Sequence, residues 1–294
     1  MNRSYFSRKP YLIYIMPAMC VLGLLILVPT VVLLYLSLTD YELGAAAFEF
    51  VGLENYSRLF FAENTEFWHS FYISLLYSAI VTSTQLILGF LIAKLLDRDM
   101  RFKPIVLACL IVPIAITPVI TGQIWKLMLN SEYGVVNYLL KLFLNAEVVW
   151  LSADHAFLST VLVDIWQNTP FVALIIYAGL RSLPIEPFEA AVTDGANRFQ
   201  VFKHITLPLL KPVILLAVVF RFIDSLRVFD IPFALTQGGP GNATEFLSMH
   251  VYRLGFAQTG WVGRASAASV ILMAVIAIIS LVLIRMFRRE VQNR

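Results

Sequence analysis

Six long apolar runs divide the chain and constrain its fold more strongly than any other feature. A helix needs about 20 apolar residues to cross the hydrocarbon core of a bilayer, and six segments of this 294-residue chain reach that length. Hydrophobic residues make up 59% of the chain and charged residues 14%, against about 45–50% and about 25% in soluble domains. The sequence therefore predicts an all-α membrane protein. Its predicted transmembrane helices are residues 12–36, 71–96, 104–129, 156–180, 208–231 and 265–287.

The third predicted span carries several residues that disturb a helix. The span contains Pro104, Pro113, Pro118 and Gly122. A proline inside a span frees a backbone carbonyl and kinks the helix, which is tolerated where the helix packs against protein or lines a cavity. The sequence therefore predicts a kinked helix that packs against protein or lines a cavity.

Lysine and arginine gather in every second connection between the spans. Short loops rich in these residues stay in the cytoplasm. The other three connections are poor in them, with Arg58 in the first, Lys141 in the second and Arg253 in the third. Because the number of spans is even, both termini and the connection after span four are predicted to be cytoplasmic. The basic residues of the predicted cytoplasmic segments are Arg3, Arg8, Lys9, Arg98, Arg101, Lys103, Arg181, Arg198, Lys203, Lys211, Arg285, Arg288, Arg289 and Arg294.

The connection after span four contains a polar, small-residue stretch that reads EAAVTDGANRFQVFKHITLP. Pro187 suits the first turn of a helix, and Gly195 is well placed to end that helix about two turns later. Ala190 and Ala191 offer a thin surface that another protein can approach closely. The large apolar side chains nearby, of the size that interfaces favour, are Phe188, Phe199 and Phe202. The stretch predicts either a docking helix for a partner protein or an amphipathic connector on the inner leaflet.

The same stretch resembles the EAA loop of ABC importer permeases. Three residues separate the EAA triplet from the glycine, and nine residues separate the glycine from an I-x-L-P pattern. The resemblance implies that the short helix sits in a cleft of an ATP-binding subunit and transmits the motion of ATP binding and hydrolysis to the membrane helices. The residues it assigns to this coupling are Phe188, Glu189, Ala190, Ala191, Gly195, Ile205, Leu207 and Pro208.

Three further stretches resemble the carbohydrate-uptake branch of these permeases. They read FVGLENYSRLF, WLSADHAFLSTVLVDIWQNTPF and FDIPFALTQGGPGNATE. The resemblance implies a type-1 ABC importer transmembrane domain at residues 70–287, with a cytoplasmic coupling loop at 184–208. Residues 1–69 would form an N-terminal tail, the first helix and an extracellular loop, and residues 288–294 a cytoplasmic tail.

The resemblance also implies a location, a substrate class and a set of partners. The chain would lie in a bacterial cell membrane and import a di- or oligosaccharide, a polyol or a glycerol phosphate. A second homologous permease, an ABC ATPase dimer and an extracellular or periplasmic solute-binding protein would complete the system. Apart from the sugar and membrane lipid, no further partner is implied.

Several other function classes are disfavoured. No glycine is followed by lysine, so a phosphate-binding loop is absent and ATP hydrolysis would require a separate subunit. The chain carries no recognisable catalytic signature, and a net charge of +3 is too small to indicate nucleic acid. Cys20 and Cys109 both lie in apolar runs, which argues against a disulfide or a metal site. No cofactor is predicted. A gradient-driven secondary transporter and a receptor or scaffold remain alternatives, although the EAA spacing argues against both.

Charged side chains inside the fifth predicted span form the second candidate site. Arg221, Asp224, Arg227 and Asp230 alternate in sign at intervals of three residues, so neighbours can pair along the helix. One interpretation is a self-neutralising ladder that makes the helix insertable. The other is a polar wall for a sugar, because carboxylates and guanidinium groups can bridge adjacent hydroxyls. The predicted substrate pathway comprises Gln123, Asp164, Asn168, Arg221, Asp224, Arg227 and Asp230.

Overall fold

The computed structural model describes residues 11–61, 65–257 and 260–292. Within these ranges the chain forms thirteen α-helices and two π-helical turns, and its only extended pairing is an isolated bridge between Thr39 and Phe50. The all-α prediction is confirmed. The helices are α1 (Tyr11–Leu36), α2 (Glu54–Phe60), α3 (Thr65–Leu96), α4 (Lys103–Ala115), α5 (Pro118–Met128), α6 (Val135–Leu144), α7 (Ala156–Arg181), α8 (Glu186–Thr193), α9 (Arg198–Val201), α10 (Leu207–Leu226), α11 (Asp230–Leu235), α12 (Leu247–Tyr252) and α13 (Val262–Gln292). The π-helical turns are Phe202–Thr206 and Arg253–Ala257.

Several basic residues near the two ends of the chain are not described by the structure. Those outside the described residues are Arg3, Arg8, Lys9 and Arg294, and the side chains of Arg288 and Arg289 are not described either.

Five helices are long and apolar enough to cross a membrane, and α4 with α5 make a sixth crossing when they are taken as one bent pair. The bend between α4 and α5 is 98°, so the predicted kink is a complete break. Pro118 explains its position, because the residue before a proline is pushed out of the helical region. Thr117 accordingly has a ψ of 142° and Ile116 a ψ of 133°. At this break the carbonyl of Ile116 accepts a hydrogen bond from Nε2 of Gln167 on α7, at 2.9 Å.

The fifth predicted span is wrong at its C-terminal end. The sequence predicts one helix through residue 231, whereas α10 ends at Leu226 and a new helix, α11, starts at Asp230. Pro232 supplies the reason: in a continuous helix its ring would clash with the carbonyl of Val228, four residues earlier. That carbonyl accepts a hydrogen bond from the hydroxyl of Ser248 instead.

The chain divides into two compact units, Met1–Asn64 with Val251–Ile271 and Thr65–His250 with Leu272–Arg294. In the first unit, Asn55 fastens the segment after α1, since its Nδ2 donates to the carbonyls of Ser37 (3.0 Å) and Thr39 (2.7 Å). A Cβ at Gly263 would lie 2.1 Å from the Thr39 carbonyl oxygen. Only glycine therefore lets the start of α13 pack this closely.

In the second unit, α3 and α10 both pack closely against α7. A Cβ added at Gly89 on α3 would lie 2.8 Å from Val172, and one at Gly179 on α7 would lie 2.8 Å from Val213. Small residues let membrane helices approach at backbone distance, where van der Waals contact replaces the hydrophobic effect as the driving force. This packing brings polar side chains of α3, α7 and α10 together.

Candidate functional site

A stripe of polar side chains runs along the buried face of α3. It recurs at helical spacing, and every member is almost inaccessible to solvent. Its residues are Ser70, Ser74, Ser78, Thr82 and Gln85. None of these five is among the predicted pathway residues, although their helical spacing was the signal that could have found the face. Tyr77, which lies on the same face and is fully buried, was missed.

Asp164 on α7 is the centre of a buried hydrogen-bond network. Its Oδ2 accepts from the Tyr77 hydroxyl at 2.6 Å, and its Oδ1 accepts from Gln85 Nε2 at 2.7 Å. Oδ1 also accepts from Asn168 Nδ2, one helical turn later, at 3.0 Å. The fourth donor is Arg221 on α10, whose Nη2 lies 2.8 Å from Oδ1. Asp164 thus accepts hydrogen bonds from side chains of α3, α7 and α10.

Arg221 is equally well satisfied. Its Nε donates to Gln85 Oε1 at 2.8 Å, its Nη2 to Asp164, and its Nη1 to Asp224 Oδ2 at 2.6 Å. The side chains of Arg221 and Asp164 are each only 3% exposed, whereas that of Asp224 is 54% exposed. Arg221 therefore joins a buried carboxylate on one side to an accessible carboxylate on the other.

The accessible carboxylate faces a cavity of about 280 Å³. It lies between the start of α5, the middle of α7 and the break between α10 and α11. Its lining residues are Pro118, Asp164, Asn168, Asp224, Arg227, Val228, Phe229, Asp230 and Ile231. Arg227 reaches Asp224 at 3.5 Å and is 64% exposed. The ring of Phe229 is stacked on Phe233, with centroids 5.0 Å apart.

The structure brings most of the predicted pathway residues together, but not all of them. Arg221 lies behind the cavity wall, and Asp230 is on the wall although it is not on the helix that the sequence predicted. The predicted pairing at intervals of three is confirmed for Arg221 with Asp224 and for Asp224 with Arg227. Gln123 is exposed on α5 and does not line this cavity.

The second candidate site is the segment that begins with α8. A Schellman motif ends this helix: the N–H of Gly195 bonds to the carbonyl of Val192 (3.1 Å) and that of Ala196 to the carbonyl of Ala191 (2.9 Å). Gly195 has a φ of +75°, which only glycine adopts without cost. A reciprocal capping box between Asn197 and Gln200 then starts α9, and a π-helical turn leads into α10.

Exposure along this segment is uneven. Glu189 and Ala190 are exposed, but Ala191 is buried in its own chain, so one alanine of the pair remains for a partner. Val192 and Phe199 are 73% and 69% exposed and add apolar surface. The predicted anchors Phe188 and Phe202, together with Ile205, are half-buried, while Leu207 and Pro208 are exposed.

Phe202 is occupied within the chain. Its ring lies 5.6 Å from that of Phe90 on α3, and Lys94 Nζ sits 4.9 Å from its centroid. The π-helical turn is thereby packed against a membrane-length helix.

A bundle of membrane-length helices with a buried ionic network and a polar cavity defines a polytopic membrane protein with a hydrophilic interior. The chain belongs to the family of binding-protein-dependent transport system inner membrane components, whose model matches residues 85–293.

Two relatives align over nearly the whole chain. A probable ABC transporter permease protein of Sinorhizobium fredii is 40% identical over 284 residues, covering 96% of this chain and 91% of the relative. The trehalose/maltose transport system permease protein of Thermococcus litoralis is 35% identical over 290 residues, covering 98% and 97%.

A solved structure shares the fold. It is the bacterial alginate ABC transporter in complex with an alginate pentasaccharide-bound periplasmic protein, which matches with a TM-score of 0.81 and 24% identity over 96% of this chain and 95% of that one. The predicted type-1 importer fold is confirmed.

The chain is thus an inner-membrane permease subunit of an ABC importer, and ATP is hydrolysed by a separate subunit. Members of the family work with a partner permease, an ATPase and a binding protein. Family membership decides against the gradient-driven transporter and the receptor that the sequence had left open.

Proposed function

We propose that this permease imports a sugar or a sugar-like polyol, and that the cavity beside Asp224 is part of its path. The observation that carries the proposal is the lining, where Asn168, Asp224 and Arg227 share one wall with the ring of Phe229. Carboxylate and guanidinium groups can each bond two adjacent hydroxyls, while an aromatic face covers the apolar side of a sugar ring. The relative from Thermococcus litoralis is named for trehalose and maltose, which agrees with this chemistry.

The volume of the cavity fits part of a chain of sugars better than a whole one. Ligand sites usually enclose about 300–1,000 Å³, and this one holds about 280 Å³. A second permease that faces the same path would supply the remaining wall.

Uptake of a labelled sugar tests the proposal. The complete complex, with its binding protein, is reconstituted in vesicles with internal ATP and offered radiolabelled maltose, trehalose and glycerol 3-phosphate. We expect uptake of at least one of these, and a loss of tenfold or more in Asn168→Leu and in Phe229→Ala with basal ATP hydrolysis retained. Glu132→Gln, an exposed change outside the cavity, is the matched control. Normal uptake in both cavity variants, or uptake of none of the three by the wild type, would contradict the proposal.

We further propose that α8 and the residues after it couple the ATPase to the transport domain at residues 70–287, which requires residues 184–208 and both termini to be cytoplasmic. The support is an ordered helix with an exposed Glu189, an exposed Ala190 and a glycine-stabilised end. The coupling residues would be Phe188, Glu189, Ala190, Ala191, Gly195, Ile205, Leu207 and Pro208, with Ala191 supporting the helix from within.

Labelling from outside the cell tests the orientation. In a variant in which Cys20 and Cys109 are replaced by serine, a single cysteine at Ser182 should be protected from an impermeant thiol reagent in intact cells. A cysteine at Asn242 should react. Labelling at Ser182 in intact cells would reverse the orientation and remove the coupling role.

A further inference from the structure

Asp230 differs from the other charged residues of the cavity because no described residue pairs with it. It is exposed on the cavity wall, and it makes no ion pair or side-chain hydrogen bond with any residue in the described part of the chain. Ionisable residues that face a cavity between membrane helices commonly mark a substrate path, and Asp230 shares its cavity with Asp164 and Asn168 of α7. Asp230 needs such an explanation, since no basic side chain in the described ranges forms an ion pair with it, although Arg227 lines the same cavity.

The charges around the cavity do not balance. Asp164, Asp224 and Asp230 contribute three carboxylates to the lining, while Arg227 on the wall and Arg221 behind it contribute two guanidinium groups. One negative charge is therefore left over. Both arginines contact Asp224, and Arg221 also holds Asp164. The uncompensated charge thus resides on Asp230.

We propose that Asp230 is a charge filter that makes the path select uncharged polyhydroxylated solutes over anionic ones such as uronic acids and sugar phosphates. This inference rests on the proposed function, because it concerns what the same cavity accepts. An unpaired carboxylate accepts hydrogen bonds from the hydroxyls of a neutral sugar. It repels a second carboxylate or a phosphate.

The expected discrimination between neutral and anionic solutes follows from the distance between the charges and the effective dielectric constant. Two like charges several ångströms apart at an effective dielectric constant of about 20 change binding on the order of tenfold to a hundredfold. Discrimination of this kind comes from a repulsive element directed against the wrong ligand. No other lining residue can supply it, since Asp164 and Asp224 are both held by arginine.

A matched pair of disaccharides tests the filter. Maltose and the derivative of maltose in which one C6 hydroxymethyl group is oxidised to a carboxylate differ by one charge and hardly at all in size. Their equilibrium binding is measured on the purified permease–ATPase complex in lipid nanodiscs without the binding protein, which would otherwise impose its own selectivity. We expect the wild type to bind maltose at least tenfold more tightly than the acid.

Two variants move this ratio in opposite directions. Asp230→Asn keeps the shape and removes the excess charge, so it should bring the ratio to within about threefold of unity. Arg227→Gln raises the excess to two negative charges and should widen the ratio. Glu132→Gln, which removes an exposed carboxylate that does not line the cavity, should leave the ratio as in the wild type. Assembly of each variant is checked by its basal ATP hydrolysis.

The possible results distinguish a failure of the proposed charge filter from a failure of the proposed sugar path. If maltose and the acid bind equally to the wild type, or if the ratio stays the same in Asp230→Asn and Arg227→Gln, the filter is wrong while the sugar path stands. If neither sugar binds to any form and Asn168→Leu leaves vesicle uptake intact, the path itself is wrong and the filter falls with it.

Discussion

Asp164 on α7 and Arg221 on α10 form a buried ion pair, with Arg221 Nη2 2.8 Å from Asp164 Oδ1. The two residues are 57 positions apart in the chain, so the pair ties two membrane-length helices together. Tyr77 and Gln85 add α3 to the same network. We infer that this network mainly positions Asp224 at the cavity wall, and that the accessible residues Asp224, Arg227 and Asp230 are the ones that meet the solute.

Removing one member of the buried pair should destabilise the subunit. Asp164→Asn deprives Arg221 of its buried carboxylate, and breaking such a pair costs about 3–5 kcal/mol. We expect a lower apparent Tm in detergent and a lower abundance in the membrane. The matched control is Asp224→Asn, whose carboxylate is 54% exposed and can be replaced by water. An equal loss in the two variants would show that the burial of Asp164 does not matter.

Two uncharged residues of the polar stripe on α3 test how much a buried hydrogen bond contributes to the stability of the subunit. Gln85→Met keeps the length of the side chain, but it leaves Nε of Arg221 unpaired and removes one of the three hydrogen bonds to Asp164 Oδ1, at a cost of about 1–3 kcal/mol. Thr82→Val, one turn earlier on α3, removes a buried hydroxyl that has no partner among the described residues, so it should be neutral or stabilising. Thermal unfolding of the two variants side by side measures the difference. A larger loss in Thr82→Val would contradict the assigned network.

Close packing of α5 against α11 should control the shape of the cavity. A Cβ at Gly122 would lie 2.7 Å from the Cβ of Ala234 and 3.0 Å from the carbonyl oxygen of Ile231. Gly122→Ala therefore pushes α11, which carries Asp230, away from α5. We expect a lower apparent Tm and reduced uptake. Gly23→Ala on α1 meets nothing within 4 Å and should be neutral or stabilising by up to about 1 kcal/mol.

The end of α8 tests whether the left-handed backbone conformation of Gly195 is needed, because a side chain there would cause no steric clash. A side chain at Gly195 would meet nothing within 4 Å, yet its φ is +75°. Asparagine tolerates this region, whereas a β-branched residue does so at a cost of about 1–2 kcal/mol. We expect Gly195→Asn to retain the ATP hydrolysis that substrate stimulates and Gly195→Val to lose most of it. Both variants should insert normally into the membrane. Full stimulation in Gly195→Val would show that this helix end is not needed for coupling.

Local signals in the sequence determined much of this protein. Apolar length predicted the membrane helices, because a helix in hydrocarbon must satisfy its own backbone and needs a fixed number of residues to cross. Pro187 and Gly195 predicted α8, since φ restrictions act on single residues wherever they occur. Pro118 predicted the disturbance of the third span, but not that the chain would turn by 98° there.

The tertiary structure decided which charges are neutralised and which face the cavity. On the sequence, Arg221, Asp224, Arg227 and Asp230 are equivalent members of one alternating series. The packing of α3 and α7 against α10 gives Arg221 its buried partners. The break before α11 puts Asp230 on the cavity wall, where no other described residue pairs with it. Burial and pairing depend on residues far apart in the chain, whereas periodicity records only neighbours along one helix. For that reason the sequence located the polar residues, and the fold alone separated structural charges from those that can meet a solute.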